Sequence, residues 1–406
     1  MKRDKLTMFK KLLSMRTPWH LGMVVLLVLL TGGRAGAQDT EEKPQRFFLT
    51  GYVKSLQTVI GLQSPRGDTL LTDNLLHQRL NSRWVLGERW QLRTDLRTRI
   101  FYGELVKQNP RYAEQVEATV NDVADLSTVL INRSSLVMHT IIDRWYLEYL
   151  YNNWEIRLGR QRVNWGISTV WNPNDIFNAF AFTDFDYEER PGSDALRLRY
   201  YTGFASSVEL AVKAFDDWEE AVAAGLLKWN KWSYDFQVLA GIVERDLVLG
   251  GGWAGNIKEA SFKGEWSYFH SKVDSIGNSF RETLGLDYSC KNGLFTSLGF
   301  LFNSNGTLGG GADDLFSFEL SAKNLYPYQW AIFTQASQAV TPLLNLSLSL
   351  IYSPGDAHAL FLNPNFNYSI AANWDLTLTG QLTFSQESQG YASPVQAGFL
   401  RVKYSF

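Results

Sequence analysis

The chain has 406 residues, and its 39 basic and 41 acidic side chains give a formal net charge of −2. This balance argues against a dedicated nucleic-acid-binding protein, and the lone cysteine, Cys290, excludes an intrachain disulfide framework and a cysteine-rich metal site. The mean hydropathy is slightly negative. That value excludes a membrane protein built from helices but not a β-barrel, whose strands have one apolar and one polar face.

The first 37 residues have the features of an export signal. Basic side chains, among them Lys2 and Arg3, precede an apolar run at 21–30, and Ala35-Gly36-Ala37 follows as a small-residue cleavage site. The apolar run has about half of the ~20 residues that a membrane-spanning helix requires. We therefore predict a cleaved signal peptide at 1–37, so that the exported chain would begin at residue 38.

From residue 46 onward, apolar and polar side chains alternate with a period of two. The alternation is clearest at 89–100, 258–268, 344–350 and 374–384. Strands of ten or more residues are about twice the usual length in soluble proteins, whereas a tilted strand needs about 9–11 residues to cross a bilayer. Trp and Tyr recur at the ends of the apolar faces, as expected at membrane interfaces. The pattern predicts an all-β, transmembrane antiparallel barrel in the outer membrane at 46–406, after a short periplasmic segment at 38–45.

The connections between these strands alternate strictly between tight and variable. The tight turns are predicted at 87–88, 151–153, 202–205, 229–231, 255–256, 291–293, 341–342 and 371–373. The variable loops are predicted at 61–73, 103–139, 164–193, 215–218, 245–246, 270–278, 304–329, 354–357 and 386–396. Tight turns face the periplasm in such barrels and longer loops face outward. Eight turns and nine loops connect 18 strands and leave both termini on the periplasmic side.

The strand count depends on three weaker assignments. Residues 312–326 are placed in an outer loop, because a strand there would break the alternation of turns and loops. The stretch 245–254 is a weak strand, so a count of 16 stays open. The run Gly250-Gly251-Gly252 is interpreted as a tight hairpin. Val116, Val120 and Val123 have helical spacing, which predicts a short helix in the long loop at 103–139.

The C-terminus carries an independent sign of a barrel. Leu400, Val402, Tyr404 and the final Phe406 alternate with polar residues. Such an ending resembles the signal that the outer-membrane barrel assembly machinery recognises, and it predicts that machinery as a partner through Phe406. A secreted propeller or β-helix is the soluble alternative, but those folds show a motif at fixed period, and the sequence has none.

Arginines dominate the polar parity of strands 74–87, 88–102, 153–163 and 194–202. The predicted lumen-facing set is Arg79, Arg83, Arg89, Arg93, Arg97, Arg99, Arg157, Arg197 and Arg199. A slip of one residue would turn the set toward lipid, at about 2–4 kcal/mol for each arginine at the bilayer midplane. Basic side chains that line a pore favour anions. The alternative is a salt-bridged wall in which Asp95, Glu148 and Glu155 neutralise these arginines.

The loop at 164–193 is rich in aromatic residues. We predict that it folds inward as a constriction, with aromatic rings available to stack on sugars or apolar solutes; the alternative is a cap that packs on itself. The predicted motif and constriction residues are Arg160, Gln161, Asn164, Trp165, Gly166, Trp171, Asp184, Asp186 and Arg190. Asp184, Asp186, Glu188 and Glu189 would be a calcium site, but they lack the glycine and the spacing of a calcium-binding loop.

Catalytic signatures are missing from the sequence. The five histidines are scattered, and there is no H-E-x-x-H, G-x-S-x-G or Walker motif. We therefore predict a protein that is not an enzyme and needs no cofactor or metal. An outer-membrane hydrolase with a Ser–His pair formed across strands is the third alternative.

The run Arg157-Leu158-Gly159-Arg160-Gln161-Arg162-Val163-Asn164-Trp165-Gly166 resembles the G-R-Q-x-x-x-W-G stretch of a porin-like outer-membrane family. That family includes relatives of alginate-export barrels and uncharacterised proteins of Gram-negative bacteria, and Arg190-Pro191-Gly192 fits the same pattern. The resemblance implies an 18-stranded barrel. An alginate-type exporter would have an arginine-rich lumen.

The sequence therefore favours an outer-membrane channel for passive passage of small or polymeric solutes, with anions preferred and an anionic solute or saccharide as its cargo. The runner-up is a non-conducting barrel for envelope assembly or surface saccharide binding, with 164–193 as a plug. Outer-membrane lipid is the expected surrounding, and no nucleic acid is expected as a partner.

Overall fold

The structure is a computed structural model that describes eight stretches of the chain, and the predicted signal peptide lies outside them. The described residues are 45–63, 68–118, 122–179, 190–272, 277–309, 314–318, 320–387 and 390–406. Residues 46–406 form one compact unit. Of the predicted periplasmic segment at 38–45, only Gln45 is described.

Within these stretches, twenty strands form a single antiparallel sheet. They are β1 (Phe47–Leu62), β2 (Thr69–Val85), β3 (Trp90–Gly103), β4 (Ser127–Arg133), β5 (Leu136–Tyr151), β6 (Trp154–Gln161), β7 (Ser193–Gly203), β8 (Ser206–Lys213), β9 (Val222–Lys231), β10 (Tyr234–Val243), β11 (Asp246–Ile257), β12 (Ala260–His270), β13 (Ser279–Ser289), β14 (Leu294–Asn303), β15 (Trp330–Thr341), β16 (Leu344–Ser353), β17 (Ala359–Ala371), β18 (Trp374–Glu387), β19 (Gly390–Ala392) and β20 (Val395–Ser405). Three short α-helices, α1 (Glu104–Gln108), α2 (Tyr112–Ala118) and α3 (Asp314–Ser317), and a 3-10 helix at Trp218–Glu220 lie in the loops.

Eighteen of these strands close into a barrel, which confirms the predicted fold and strand count. Each pairs with its neighbours around the ring, β3 pairs with β5, β18 pairs with β20, and β20 pairs with β1 to close it. The two additional strands, β4 and β19, belong to loops. Residues 312–326 contain no barrel strand among the residues described there, and 246–257 forms a complete one.

The alternating sequence separates the two faces of the wall. Outward-facing apolar side chains such as Leu158 and Leu210 are exposed, whereas polar side chains of the other parity are buried inside the barrel. Aromatic pairs from neighbouring strands lie beside the tight turns, including Trp90 with Tyr149 at 4.6 Å between ring centroids. The exterior is therefore an apolar belt bounded by aromatic rings.

Six of the eight tight turns occur where they are predicted, and two lie further along the chain. β9 continues to Lys231, so its turn consists of Trp232 and Ser233, with φ values of 55° and 62°. β11 continues to Ile257, so its turn uses Lys258, with φ of 55°, instead of 255–256. Two-residue hairpins require positive φ, and here side-chain-bearing residues adopt it. The glycine at 255 is therefore a misleading turn signal.

The long loop between β3 and β5 has more structure than the sequence predicts. A short helix is present in this loop, as predicted, but it spans Tyr112–Ala118 and ends before Val123; α1 and β4 were not predicted. β6 ends at Gln161, and β4 pairs with the part of β5 beyond it. Residues 122–126 then join β7 through side chains, because Asp194 accepts a hydrogen bond from the Ala124 N–H at 2.8 Å and Arg160 Nε donates to Asp194 at 2.8 Å.

β5 contains a β-bulge at Asp143. Asp95 pairs with Arg144 and Leu96 pairs with Ile142, so Asp143 is an extra residue in the ladder. The extra residue changes which parity faces inward. Ile141 is buried inside the barrel, whereas Trp145, four residues later and of the same parity, is exposed on its outside.

The last residue seals the barrel beside its first strand. The backbone groups of Phe406 and Gly51 exchange two hydrogen bonds of 2.9 Å. A Cβ on Gly51 would lie 3.0 Å from the Phe406 ring, so the glycine leaves the space that the ring occupies. None of the described helices has the length and apolar character required to span a membrane.

Candidate functional site

Two carboxylates pair with three arginines of β2 and β3. Asp143 contacts Arg79 and lies 3.2 Å from Arg97 Nη2, while Asp95 lies 3.0 Å from Arg93 Nε and 3.3 Å from Arg79 Nη2. Arg79, Arg97 and both acids are almost fully buried. Charges buried to this degree require partners, and this part of the wall supplies them.

A second ion-paired group continues across β5 to β8. Glu148 Oε1 accepts a hydrogen bond from Arg157 Nε at 2.6 Å. Glu209 accepts from Arg197 Nε at 2.7 Å and from Arg199 Nε at 2.6 Å. The same-face rows of the sheet place these groups side by side, because Arg157 pairs in register with Arg197 and Arg199 with Glu209.

Six of the nine arginines predicted to line the lumen therefore contact carboxylates, as the salt-bridged alternative requires. They are Arg79, Arg93, Arg97, Arg157, Arg197 and Arg199, and the acids include Asp95, Glu148 and Glu155. Arg83 stacks on the Phe48 ring, and Arg99 contacts His139 Nδ1 at 3.3 Å. Arg89 is a correction: it lies in the turn before β3 with its guanidinium over the Tyr151 ring, because β3 begins only at Trp90.

The basic surface extends across the closing seam, which the sequence analysis missed. In register, Lys403 of β20 pairs with Lys54 of β1, Lys54 with His77, His77 with Arg99, and Arg99 with His139. The polar face of β20, β1, β2 and β3 carries eight basic and two acidic side chains. They are Arg401, Lys403, Lys54, Arg79, Arg83, Arg93, Arg97 and Arg99, against Asp73 and Asp95. We call this surface the basic sector. Joining the two ends of the chain requires the closed barrel, so strand-by-strand parity does not reveal it.

Residues 162–179 lie against the polar face of β8–β13. Glu265 of β12 is fully buried and anchors this segment. One of its carboxylate oxygens accepts hydrogen bonds from the backbone N–H groups of Ile167 at 3.2 Å and Ser168 at 2.8 Å, and the other accepts from Asn174 at 3.3 Å. Hydrogen bonds to a charged acceptor are roughly twice as strong as neutral ones.

Gly250 and Gly252 of β11 leave the space that this segment fills. A Cβ on Gly250 would lie 2.5 Å from Asn174 Oδ1, and one on Gly252 would lie 2.8 Å from the Ile167 side chain. The predicted hairpin at 250–252 is thus wrong: these glycines lie in the middle of β11. Glycine within a strand marks the close approach of another part of the chain, a meaning that the hairpin interpretation missed.

The aromatic side chains of the segment pack into the wall. Trp165 donates from Nε1 to Glu209 at 2.6 Å and packs with Phe177 in an apolar cluster that includes Leu239 and Phe269. Trp171 joins a second cluster with residues of β14–β17 and lies 5.3 Å from the Tyr326 ring. These described rings are buried, as the self-packing alternative requires, and they are not available to stack on a solute.

Asp175 is a buried carboxylate between two arginines. Its Oδ2 lies 3.9 Å from Arg162 Nη2 and 3.8 Å from Arg190 Nη1. Burial raises the pKa of Asp175 to about 7, against the opposing effect of Arg162 and Arg190. The group therefore changes charge near neutral pH.

The remaining motif residues take separate positions. Arg160 is a correction, because it belongs to the wall joint with Asp194 and not to the constriction. Gln161 is buried and donates to the Ala195 carbonyl at 3.0 Å, and Asn164 accepts from Arg162 at 2.9 Å. A Cβ on Gly166 would collide with Asn172, and the Arg190 carbonyl accepts from Arg144. Asp184 and Asp186 lie outside the described residues, as do Glu188 and Glu189 of the predicted calcium site.

Within the described stretches, His, Cys, Asp and Glu side chains do not gather into a group of three able to hold a metal ion.

No protein-family model matches this sequence, and no curated protein matches it. Solved structures do. Acinetobacter baumannii OccAB4 aligns with a TM-score of 0.55 at 12% identity over 90% of this chain and all of that one. Pseudomonas aeruginosa OccK7 (OpdD) aligns at 0.54 and 10% identity over 88% of this chain and 99% of that one, and OccK11 (OpdR) of the same organism aligns at 0.52 and 11% over 88% and 96%. The likeness shows the fold, a porin-like closed antiparallel barrel.

Proposed function

We propose that this chain is an outer-membrane channel for the passive passage of small solutes. The observation that carries the proposal is a closed 18-stranded wall with an apolar belt outside and a charged, hydrogen-bonding face inside. The apolar outer face is suited to contact with lipid hydrocarbon, and the polar inner face is suited to contact with water. The proposal includes export through the predicted signal peptide at 1–37 and insertion through recognition of Phe406 by the barrel assembly machinery. It includes no catalytic activity.

Residues 162–179 form the constriction of this channel. Their backbone bonds to Glu265 and their apolar contacts on β8–β17 support a fixed position against the inner face. The segment would leave free passage mainly along the basic sector, because it covers the opposite part of the wall.

The channel favours anions, including anionic saccharides. Six of the nine predicted arginines are paired with carboxylates, so these arginines alone do not establish an excess of positive charge in the lumen. The support is that the basic sector, with eight basic and two acidic side chains, keeps an excess of positive charge even when Asp143 of β5 is counted against Arg79 and Arg97. An excess of fixed positive charge lowers the energy of an anion in the lumen and raises that of a cation.

A planar bilayer experiment tests both parts of the proposal. We expect the purified protein to conduct, with a reversal potential in a KCl gradient that shows preference for chloride. Lys403→Gln removes one charge of the basic sector and should reduce that preference, whereas Lys291→Gln, at an exposed tight turn, should not. Absence of conductance contradicts the channel, and cation preference contradicts the selectivity.

A non-conducting barrel is the second candidate function. Two apolar clusters, with Trp165 in one and Trp171 in the other, hold the segment to a large part of the wall, as a plug for envelope assembly or surface saccharide binding would be held. If the segment is a plug, membranes that contain the wild-type protein should show no added conductance, whereas membranes that contain Glu265→Ala should conduct.

A further inference from the structure

We propose that the inner face of β8–β10 carries a binding site for a small monoanionic hydroxy acid, with Lys228 as the group that binds its carboxylate. The site lies between residues 162–179 and the tight turns, and it rests on the proposed channel function in naming what stops there. It lies on a different part of the wall from the basic sector.

The site is a recess of about 410 Å³. One row of the sheet forms its floor, since Tyr201 pairs in register with Ser207, Ser207 with Lys228, and Lys228 with Gln237. Ile167 of the anchored segment forms its upper edge, and Gln237 is fixed because its Nε2 donates to the Trp165 carbonyl at 2.7 Å. The recess therefore exists only where the segment meets the wall.

Lys228 has a charge that no described neighbour takes up. Two acids, Glu209 and Asp235, act electrostatically on Lys228, but both have other partners. Glu209 binds Arg197 and Arg199. Asp235 accepts a hydrogen bond from Asn230 at 2.7 Å. Within the described residues, the Lys228 ammonium makes neither an ion pair nor a hydrogen bond. Lys263, which also faces inward, lies 2.7 Å from Asp287. An ammonium with three free donors in a half-buried recess favours an anionic ligand.

The lining selects among anions. Ser207, Gln237 and Asp235 offer acceptors and donors for hydroxyl groups beside the ammonium, and the half-exposed Tyr201 ring offers a flat surface for C–H groups. The carboxylate of Asp235 would repel a second negative charge. The recess therefore suits a ligand with one carboxylate and several hydroxyls better than phosphate or a dicarboxylate.

Gluconate binding to the full-length processed protein in detergent tests the site. By calorimetric titration, we expect gluconate to bind, glucose and acetate to bind at least tenfold more weakly, and phosphate to compete poorly. Lys228→Gln should weaken gluconate binding at least tenfold, and Lys228→Arg should restore part of it. Lys231→Gln, three residues away and exposed at the turn, is the matched control and should change nothing.

Conductance measured on the same preparations separates this site from the channel proposal. A conducting protein that does not bind gluconate, or that binds it equally well as Lys228→Gln, overturns the site and leaves the channel. A protein that does not conduct but loses gluconate binding as Lys228→Gln overturns the channel and keeps the site.

Discussion

Replacing Glu265 with alanine removes the anchor of residues 162–179. The change deletes three hydrogen bonds from backbone N–H groups to a fully buried carboxylate. At about 1.5 kcal/mol for each bond, the value at which the ranges for neutral and charged acceptors meet, the attached state loses roughly 4.5 kcal/mol. Since about 1.4 kcal/mol corresponds to a factor of ten, the detached population should rise about a thousandfold.

Single-channel recording detects the detachment as a larger and noisier conductance, and limited proteolysis detects it as new cleavage within 162–179. Glu265→Gln keeps one carbonyl acceptor, so its conductance and its cleavage should be intermediate between those of the wild type and those of Glu265→Ala. Glu220→Ala removes a carboxylate from an exposed position on the 3-10 helix and should leave both readouts unchanged. If Glu265→Ala has the conductance and cleavage pattern of the wild type, Glu265 does not hold the segment.

Two further outcomes are expected. The folded-state pKa of Asp175 is raised from 3.8 to about 7 because burial favours its protonated form. Attachment of residues 162–179 should therefore weaken as pH rises from about 4 to 7 and then level off. Single-channel noise should be greater at pH 8 than at pH 5.5, and Asp175→Asn should lessen that difference. An Asp175→Asn protein with the full wild-type response assigns the titration elsewhere. Arg97→Glu breaks a buried pair with Asp143 and should destabilise the folded barrel by about 3–5 kcal/mol, whereas Arg83→Glu, at an exposed position, should assemble normally. Heat-modifiable migration in gels compares the two variants, and equal assembly contradicts the argument from burial.

The barrel could be predicted from the sequence because its determinants are local. Alternation over ten residues assigns the faces, and tight turns next to long loops assign the order, so 18 strands follow without tertiary information. The errors occur where local signals have two meanings. Gly255 and the glycines at 250–252 indicate turns in isolation, but in the structure they lie in β11, where Gly250 and Gly252 accommodate another segment.

Parity placed the arginines other than Arg89 on strands of the wall, but only some of their partners were predicted. Asp95, Glu148 and Glu155 were named as counter-charges, whereas Asp143 and Glu209 were missed. Pairing depends on which strands become neighbours and on the bulge in β5, and neither is encoded in a window of residues. The Glu265 anchor was missed for the same reason, because its three donors lie 91 to 98 residues away in the chain.

The bulge at Asp143 makes the two halves of β5 keep different phases. Before it, odd-numbered side chains such as Ile141 point inward, and after it the even-numbered Glu148 does so. Deletion of this single residue would put the strand into one phase throughout. Arg79 and Arg97 would lose their shared counter-charge, whereas Ile142 and Arg144 would keep Leu96 and Asp95 as register partners and Glu148 would stay inside, so one missing codon would remove a charge without reversing either half of the strand.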